Sequence, residues 1–372
     1  MLNIIAFLII VAGLIQSLLF AGHWALYKTI VRFFSIENPI IIIYLKIILG
    51  FLSISFVLAM IFSSRYSNLP VRVFYNLAAG WLGFLFFLLV ASAVSWIILG
   101  AGKYWSFNFD WKILISILYF LAIILGTYGL VNAGNVRITK LNIKLNNLPE
   151  SWKGRTAVWV SDIHLGQIRD YKFSQQVADK IQNLQPDVIF VGGDLYDGVQ
   201  ADIDKLATPF ARLKAPLGTY FITGNHEEFD GSEKYLAAAR KVNMQILDNK
   251  SIDLDGVQLI GVDYRDTSER EPFKKILAEM NIQKNKPVIL LKHSPYYVEE
   301  AEKAGVDLQL SGHTHRGQVI PIMYIDKLIF YGYEFGLKKL GNLLIYTSSG
   351  AGTWGPPFRV GTTPEIVQIT FN

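Results

Sequence analysis

Residues 157–166 read AVWVSDIHLG, a short apolar run that ends in an acid and a histidine. A run of this length and composition is typical of a buried strand. Asp162 and His164 follow it two positions apart, so the spacing places both side chains on one side of the chain while Ile163 turns toward the core. The segment therefore predicts a buried strand that delivers two metal-binding side chains to its end.

The same pattern recurs along the rest of the chain and predicts an α/β domain. Four more apolar runs, each ending in a polar cluster, cover residues 188–194, 220–225, 288–293 and 308–313. Between the first two strands, Phe173, Val177, Ile181 and Leu184 recur at helical spacing, which predicts an amphipathic helix that closes a βαβ unit. A second helix near 233–242, an edge strand over 136–145 and later strands complete the pattern of a mixed sheet. The later strands are predicted at 257–262, 343–347 and 366–371.

These strand ends collect the residue types that bind metals. The chain has six histidines and no cysteine, and five of the histidines stand at strand ends, which five separate structural roles explain poorly. Imidazoles, carboxylates and an amide make up a set of metal ligands without sulfur. Asp194 follows a glycine and is the candidate to bridge two cations. The candidate ligands are Asp162, His164, Asp194, Asn225, His293, His313 and His315.

His226 is the candidate catalytic residue, because it directly follows Asn225 and is placed to protonate a leaving oxygen. The alternative role is a supporting hydrogen bond. Glu227 and Asp197 are expected to support the site or lie at the surface.

The amino-terminal part of the chain has a different composition. Apolar stretches at residues 2–20, 40–62, 73–99 and 113–131 each approach the ~20 residues that cross a bilayer, which predicts four transmembrane helices. The first stretch lacks a basic leading segment, so a retained span is expected rather than a signal peptide. The predicted domains are a transmembrane helical domain over 1–134, for which anchoring is favoured over transport, and a catalytic domain over 135–372.

The charges follow the same division. Residues 1–150 contain ten lysines and arginines against three acids, whereas residues 151–372 contain 25 against 27. This distribution favours lipid headgroups as the partner and argues against nucleic acid. Four spans place both termini on one side of the membrane, and five basic residues flank that side against four on the other, which favours a cytoplasmic catalytic domain. The five are Arg65, Arg72, Arg137, Lys140 and Lys144, and the four are Lys28, Arg32, Lys103 and Lys112.

Taken in order, the clusters Asp-x-His, Gly-Asp, Gly-Asn-His-Glu, His and Gly-His-x-His resemble the calcineurin-like metallophosphoesterases over roughly residues 155–320. The segments SDIHLG (161–166), SGHTHRGQ (311–318) and the tail at 350–365 look like its membrane-associated, YkuE-like bacterial branch. That branch has glycine at the position of Arg316, so the resemblance does not extend to substrate contacts of this loop. The resemblance implies a four-layer α/β/β/α sandwich with two metal ions, which in this family are usually iron, manganese or zinc, and ligands without sulfur are compatible with all three. One ion would be held by Asp162, His164, Asp194 and His315, and the other by Asp194, Asn225, His293 and His313.

A two-metal site of this kind predicts hydrolysis of a phosphate ester or pyrophosphate by a metal-bridging hydroxide. Membrane embedding favours a lipid-linked or nucleotide-lipid substrate. Two alternatives stay open: a nuclease, which the acidic balance disfavours, and a catalytically silent metal-binding scaffold, which the complete ligand set disfavours. The apolar residues 319–340 predict either a lip at the lipid headgroups or, as the favoured alternative, a strand pair packed into the domain.

Overall fold

The structure, a computed structural model, describes residues 2–105, 110–198, 200–228 and 231–372, and the side chains of residues 2–9 and 11 lie outside that description. The chain divides into two compact units. A helical unit contains Met1–Val131 together with the short segment Gly355–Phe358, and an α/β unit contains Asn132–Trp354 and Arg359–Asn372.

Long apolar helices make up the helical unit. They are α1 (Leu2–Phe33), α2 (Pro39–Ser63), α3 (Leu69–Tyr104) and α4 (Trp111–Asn132). Asn38 and Asn68 cap α2 and α3, because their side-chain oxygens accept hydrogen bonds from the first free backbone N–H groups. Phe358 belongs to this unit because its ring packs against those of Phe84 and Phe87 in α3, at centroid distances of 5.3 and 6.0 Å.

Within the described residues, three helices are long and apolar enough to cross a membrane: α2, α3 and α4. Their positions agree with three of the four predicted stretches. The remaining stretch, residues 2–20, lies in α1 and falls partly on side chains outside the description. A fourth span therefore stays a prediction.

The α/β unit contains two mixed sheets of six strands each in the part of the chain that the structure describes. The strands are β1 (Arg137–Ile143), β2 (Thr156–Val160), β3 (Val188–Val191), β4 (Thr219–Phe221), β5 (Gln245–Ile246), β6 (Lys250–Leu254), β7 (Val257–Gly261), β8 (Val288–Leu291), β9 (Leu308–Ser311), β10 (Gly336–Leu340), β11 (Leu343–Thr347) and β12 (Glu365–Phe371). The first sheet has the order β1-β12-β2-β3-β4-β5, and the second has the order β10-β11-β9-β8-β7-β6.

Parallel pairing brings the functional loops to common sheet edges. In the first sheet β2, β3, β4 and β5 are parallel, β12 runs antiparallel to β2, and β1 pairs with β12 at the edge, as predicted. In the second sheet β7, β8, β9 and β11 are parallel, while β6 and β10 are added in antiparallel hairpins. The loops that follow β2, β3 and β4 therefore leave one edge together, as do those after β8 and β9.

The helices of this unit connect the strands. They are α5 (Tyr171–Asn183), α6 (Ile203–Ala207), α7 (Asn225–Glu228), α8 (Glu233–Lys241), α9 (Tyr264–Thr267), α10 (Arg270–Glu279), α11 (Val298–Ala304) and α12 (Ile322–Ile329). The two predicted helices are α5 and α8. Asp170 caps α5 by accepting a hydrogen bond from the N–H of Phe173.

Among the described residues of this unit, three apolar clusters form the core. One lies between the two sheets and joins Trp159 and Phe190 of the first sheet to Leu310 of the second. A second packs the first sheet against α5 and α8, and a third packs the second sheet against α10 and α11. The strands read as continuous apolar runs because both of their faces are buried.

The predicted strands extend further than the strands in the structure. The observed strands β2, β3, β4, β8 and β9 end at Val160, Val191, Phe221, Leu291 and Ser311, and the polar clusters belong to the loops that follow. Asp162, His164 and Asp194 have φ angles of 54°, 53° and 50°. This left-handed backbone is incompatible with a strand.

The favoured prediction of a strand pair over residues 319–340 is wrong for most of this segment. Residues Ile322–Ile329 form helix α12, and β10 pairs with β11 beyond it.

Candidate metal centre

The loops after β2, β3, β4, β8 and β9 bring the predicted ligands together. Three overlapping groups of His and Asp residues have ligand atoms within 4.8 Å of one another. The groups are Asp162, His164 and His315; His164, Asp194 and His226; and Asp194, His293 and His313. Every predicted His and Asp ligand belongs to one of these groups.

The first part of the centre is formed by His164 and His315. Their Nε2 atoms are 3.0 Å apart. The carboxylate of Asp162 approaches Nε2 of His315 at 3.6 Å, and that of Asp194 approaches Nε2 of His164 at 3.7 Å. All four side chains are buried.

The second part is formed around Asn225. Its Oδ1 lies 2.9 Å from Nδ1 of His313 and 3.2 Å from Nε2 of His293. Oδ2 of Asp194 lies 3.2 Å from the same Nε2 of His293. Asp194 thus contacts imidazoles of both parts and lies at their junction. Asn225 and His313 are only half-buried, so this side of the centre is the more open one.

Close backbone packing holds the two carboxylates in place. A Cβ on Gly312 would lie 2.2 Å from Oδ2 of Asp162, and a Cβ on Gly224 would lie 2.2 Å from Oδ1 of Asp194. Only glycine permits these approaches. His313 and His315 add φ angles of 72° and 50° to the left-handed residues named above. Strained backbone of this kind is typical of functional loops.

Glu227 is fully buried and supports the centre through hydrogen bonds to the backbone of two of its loops. Its carboxylate accepts hydrogen bonds from the backbone N–H groups of Asp194 and Gly224, both at 2.8 Å, and of Tyr196 at 3.2 Å. It therefore ties the loop after β3 to the loop after β4. The Gly-Asn-His-Glu motif contains the residue, but its role depends on contacts 31 and 33 residues away.

Asp197 supports two of the histidines. Its Oδ1 lies 3.4 Å from Nδ1 of His164 and 3.9 Å from Nδ1 of His226. Its backbone carbonyl oxygen lies 3.0 Å from the same Nδ1 of His226, which must carry the proton to form this hydrogen bond. The His226 ring also contacts His164 edge to face, at 4.6 Å between centroids.

Two buried cations near the centre were not predicted from the sequence. Arg359 donates to the carbonyl oxygens of Ser349 and Gly352, both at 2.6 Å, and to that of His315 at 3.0 Å. Lys292 precedes His293, and its Nζ donates to the carbonyl oxygen of Ser294 at 3.0 Å. Burial lowers the pKa of Arg359 to about 9 and that of Lys292 to about 7. No sequence pattern marks either residue, because most of their partners are backbone carbonyls.

The electrostatics of the centre differ from one histidine to the next. Burial alone lowers the pKa of His293, but the carboxylates of Asp194 and Asp162 outweigh it and raise that pKa to about 9. Burial raises the pKa of Asp162. Burial also raises the pKa of Asp194, but His293 outweighs this effect and holds that pKa well below its usual range. Burial and the charge of His293 lower the pKa of His313 to about 3.

The donor set fits metal ions. Nδ1 of His293 donates to the carbonyl oxygen of Gly192 at 2.7 Å, which leaves Nε2 unprotonated toward Asp194 in the neutral ring. A ligating histidine is fixed in this way in most metal sites. Converging imidazole nitrogens and carboxylate oxygens without sulfur are compatible with a binuclear centre of first-row metals.

An aromatic pocket lies next to the centre. Its volume is about 310 Å³, and its lining includes Tyr296, Tyr297, Phe330 and Tyr331. The ring of Phe330 packs on Tyr296 at 4.7 Å and lies 6.0 Å from the ring of His313. The pocket therefore adjoins the more open side of the centre.

Comparison with known proteins agrees with this geometry. The profile of the calcineurin-like phosphoesterase family matches residues 156–317. A metallophosphoesterase of Aquifex aeolicus is 33% identical over 257 residues, which are 68% of this chain and 97% of the relative. The metallophosphoesterase YkuE of Bacillus subtilis is 28% identical over 63% of this chain and 85% of the relative.

A further relative is described as a transmembrane protein. A transmembrane protein with metallophosphoesterase domain from Danio rerio is 30% identical over 66% of this chain. The match spans 60% of that relative's length.

Proposed function

Because this chain belongs to the calcineurin-like metallophosphoesterase family, we propose that it is a two-metal phosphoesterase that hydrolyses a phosphate ester or pyrophosphate bond. The observation that carries the proposal is the position of Asp194 between two groups of imidazoles. The His and Asp residues of the centre are all present, which argues against a silent scaffold.

We assign one metal ion to Asp162, His164, Asp194 and His315, and the other to Asp194, Asn225, His293 and His313. The assignment is supported by the short distances within each set, such as 3.6 Å from Asp162 to His315 and 2.9 Å from Asn225 to His313. Iron, manganese and zinc all suit these donors. His226 lies in a group with His164 and Asp194, so a role as a further ligand competes with its role as an acid.

When bound, the two cations would supply an activated water and offset the charge on the phosphoryl oxygens. The protein positions the reacting groups. Glu227 and Gly312 fix the two carboxylates, and Asp197 orients two imidazoles. We assign to His226 the protonation of the leaving oxygen: its Nδ1 donates to the carbonyl oxygen of Asp197, so the acid is the doubly protonated ring, which gives its Nε2 proton to the leaving oxygen and is left neutral.

We propose a lipid-linked or nucleotide-lipid phosphate as the substrate. The pocket beside His313, lined mainly by aromatic side chains together with Arg270 and Glu299, supports a substrate whose phosphate carries an apolar or aromatic group. The three candidate spans of the same chain support a substrate that resides in a membrane.

For the architecture we propose a fourth span in α1, a boundary between a membrane domain and a catalytic domain at residues 134/135, and a four-layer α/β/β/α sandwich. The core clusters on both faces of each sheet support the four layers. The basic residues flanking the predicted spans favour a cytoplasmic catalytic domain.

The test is hydrolysis of p-nitrophenyl phosphate and bis-p-nitrophenyl phosphate by the detergent-purified chain, before and after treatment with a chelator and then with manganese. Asp194→Ala removes the bridging carboxylate, and Asp179→Ala is the matched control because that side chain is 60% exposed. We expect manganese to restore turnover in wild type and Asp179→Ala but not in Asp194→Ala. Chelator-resistant turnover, or equal turnover in both variants, would contradict the proposal.

The preferred ester in this assay distinguishes a monoesterase from a diesterase. The lipid part of the proposal is tested separately, by comparing a lipid phosphate in mixed micelles with its short-chain soluble analogue. A higher kcat/KM for the soluble analogue would contradict a membrane substrate while leaving the two-metal chemistry intact.

A further inference from the structure

Helix α12 is an amphipathic helix whose apolar side faces away from the protein. No residue of α12 is buried. Leu328 is 77% exposed, Tyr324 58% and Ile325 54%. The side that faces the domain contains the half-buried Asp326. Burial raises the pKa of this carboxyl to about 6. A helix on the surface of a soluble protein has the opposite arrangement.

The exposed apolar side chains of the α/β unit are concentrated around this helix. Among the described residues of 132–372, the large apolar side chains that are exposed all lie between Ile320 and Leu337, apart from Trp354. Scattered exposed apolar residues are ordinary, but a contiguous group marks an interaction surface. Residues 320–331 together with Trp354 are called the apolar rim below.

The apolar rim borders the metal centre at two points. The ring of Phe330, directly after α12, lies 6.0 Å from that of His313, and the ring of Trp354 lies 6.2 Å from that of His226. The rim is held together by Gln318, whose side chain accepts a hydrogen bond from the backbone N–H of Trp354 at 2.8 Å and donates to its carbonyl oxygen at 2.9 Å. The exposed apolar surface and the centre are therefore neighbours.

We propose that the apolar rim inserts into the interfacial layer of a lipid bilayer. A bilayer is the occupant that best fits three observations. The same chain contains three helices long and apolar enough to cross a membrane. The rim contains both branched aliphatic side chains and the side chains of tyrosine and tryptophan. This combination suits the boundary between headgroups and acyl chains. Exposed Lys327 lies in the rim, exposed Lys338 and Lys339 follow it along the chain, and all three would attract anionic headgroups.

The consequence for substrates rests on the proposed function. A bilayer seated against Phe330 and Trp354 would present headgroup phosphates at the mouth of the centre. A lipid phosphate would then reach the metal ligands without leaving the membrane.

Site-directed spin labelling tests the insertion directly, because the chain contains no cysteine and single-cysteine variants have no background. Nitroxide labels are placed at Ile325→Cys and Leu328→Cys on the apolar rim. Ala278→Cys, an exposed position on helix α10, is the matched control. The full chain is reconstituted in nanodiscs of phosphatidylcholine and phosphatidylglycerol, and the accessibility of each label to oxygen and to a water-soluble nickel chelate is measured.

We expect the ratio of oxygen to nickel accessibility at both rim positions to exceed the ratio at Ala278→Cys several-fold. Equal ratios at all three positions would overturn the proposal in favour of a rim in water. Labels at the rim that are shielded from both reagents would overturn it in favour of a protein partner or a second copy of the chain. The readout does not depend on turnover, so a failure of the insertion and a failure of the hydrolase function are distinguishable.

Discussion

Asp162 and Asp194 are at most 2% exposed, whereas Leu328 and Tyr331 in the same α/β unit are 77% and 85% exposed. In folded proteins acids are ordinarily exposed and large apolar groups buried, whereas the metal centre buries acids and the apolar rim exposes large apolar side chains. In the centre, buried acids are compensated by imidazoles and by backbone N–H groups. On the rim, the described structure offers no comparable cover for the apolar side chains. Residues that break the ordinary rule in this way are where function is expected.

The largest effect is expected from Gly312→Ala, which disturbs the buried side of this comparison. The added Cβ would lie 2.2 Å from Oδ2 of Asp162 and 2.3 Å from Oγ of Ser161. Displacement of a reacting group by about 1 Å can cost roughly 100-fold in rate, so we expect a loss of that order in manganese-dependent turnover. Gly100→Ala is the control, since its Cβ meets nothing within 4 Å. Wild-type activity in Gly312→Ala would show that the close packing on Asp162 is not required.

The next effect concerns the support beneath the centre. Glu227→Gln leaves one carbonyl oxygen for the three backbone N–H groups that the carboxylate now serves. Supporting groups around metal ligands typically contribute about 10–100-fold in metal affinity or activity, and we expect a loss within that range. Metal titration of the chelated protein measures it. Glu279→Gln, an exposed change on α10, should leave affinity unchanged. Equal affinities for the two variants would contradict a supporting role.

Truncation of two leucines, one in the core and one on the rim, compares the two regions by their effect on the free energy of unfolding. Leu310→Ala removes a fully buried side chain from the core between the sheets and should lower the free energy of unfolding by about 2–5 kcal/mol. Leu328→Ala removes an exposed side chain from the rim and should change it by less than about 0.5 kcal/mol. Thermal unfolding in detergent compares the two variants. A large loss for Leu328→Ala would mean that the rim packs into the domain.

The smallest effect concerns Asp248, a half-buried acid outside the ligand set. Burial raises its pKa to about 7, although its Oδ1 accepts a hydrogen bond from the N–H of Thr223 at 2.9 Å. The unfolded chain has the ordinary value of about 3.9, so the folded state binds more protons between roughly pH 4 and pH 7. The free energy of unfolding therefore falls as pH rises through this window.

Asp248→Asn keeps the acceptor and cannot ionise. The difference between the Tm of the variant and the Tm of the wild type should therefore increase by several degrees between about pH 5 and about pH 8. A difference in Tm that is constant with pH would contradict the raised pKa. An acid stabilised by an ion pair shows the opposite pH dependence, because its contribution to stability rises with pH.

Sequence patterns located the centre because each ligand directly follows a buried strand, and parallel strands bring such ends together. They also predicted strand-like alternation for Asp162 and His164 at the strand end, which φ angles of 54° and 53° contradict, because a left-handed backbone leaves no mark in the order of residues. Arg359 was missed because its partner His315 is 44 residues away and is contacted partly through its backbone. Helix α12 was missed because its apolar residues face outward, and an apolar stretch ordinarily predicts burial.

The measurement that tests the central claim most directly is the metal content of the purified chain, determined by elemental analysis for wild type, Asp194→Ala and Asp179→Ala. Asp194 lies between the two groups of imidazoles, so its removal should weaken both sites at once. We expect close to two transition-metal ions per chain in wild type and Asp179→Ala, and at most about one in Asp194→Ala. The same metal content in all three proteins would contradict a binuclear centre bridged by this carboxylate.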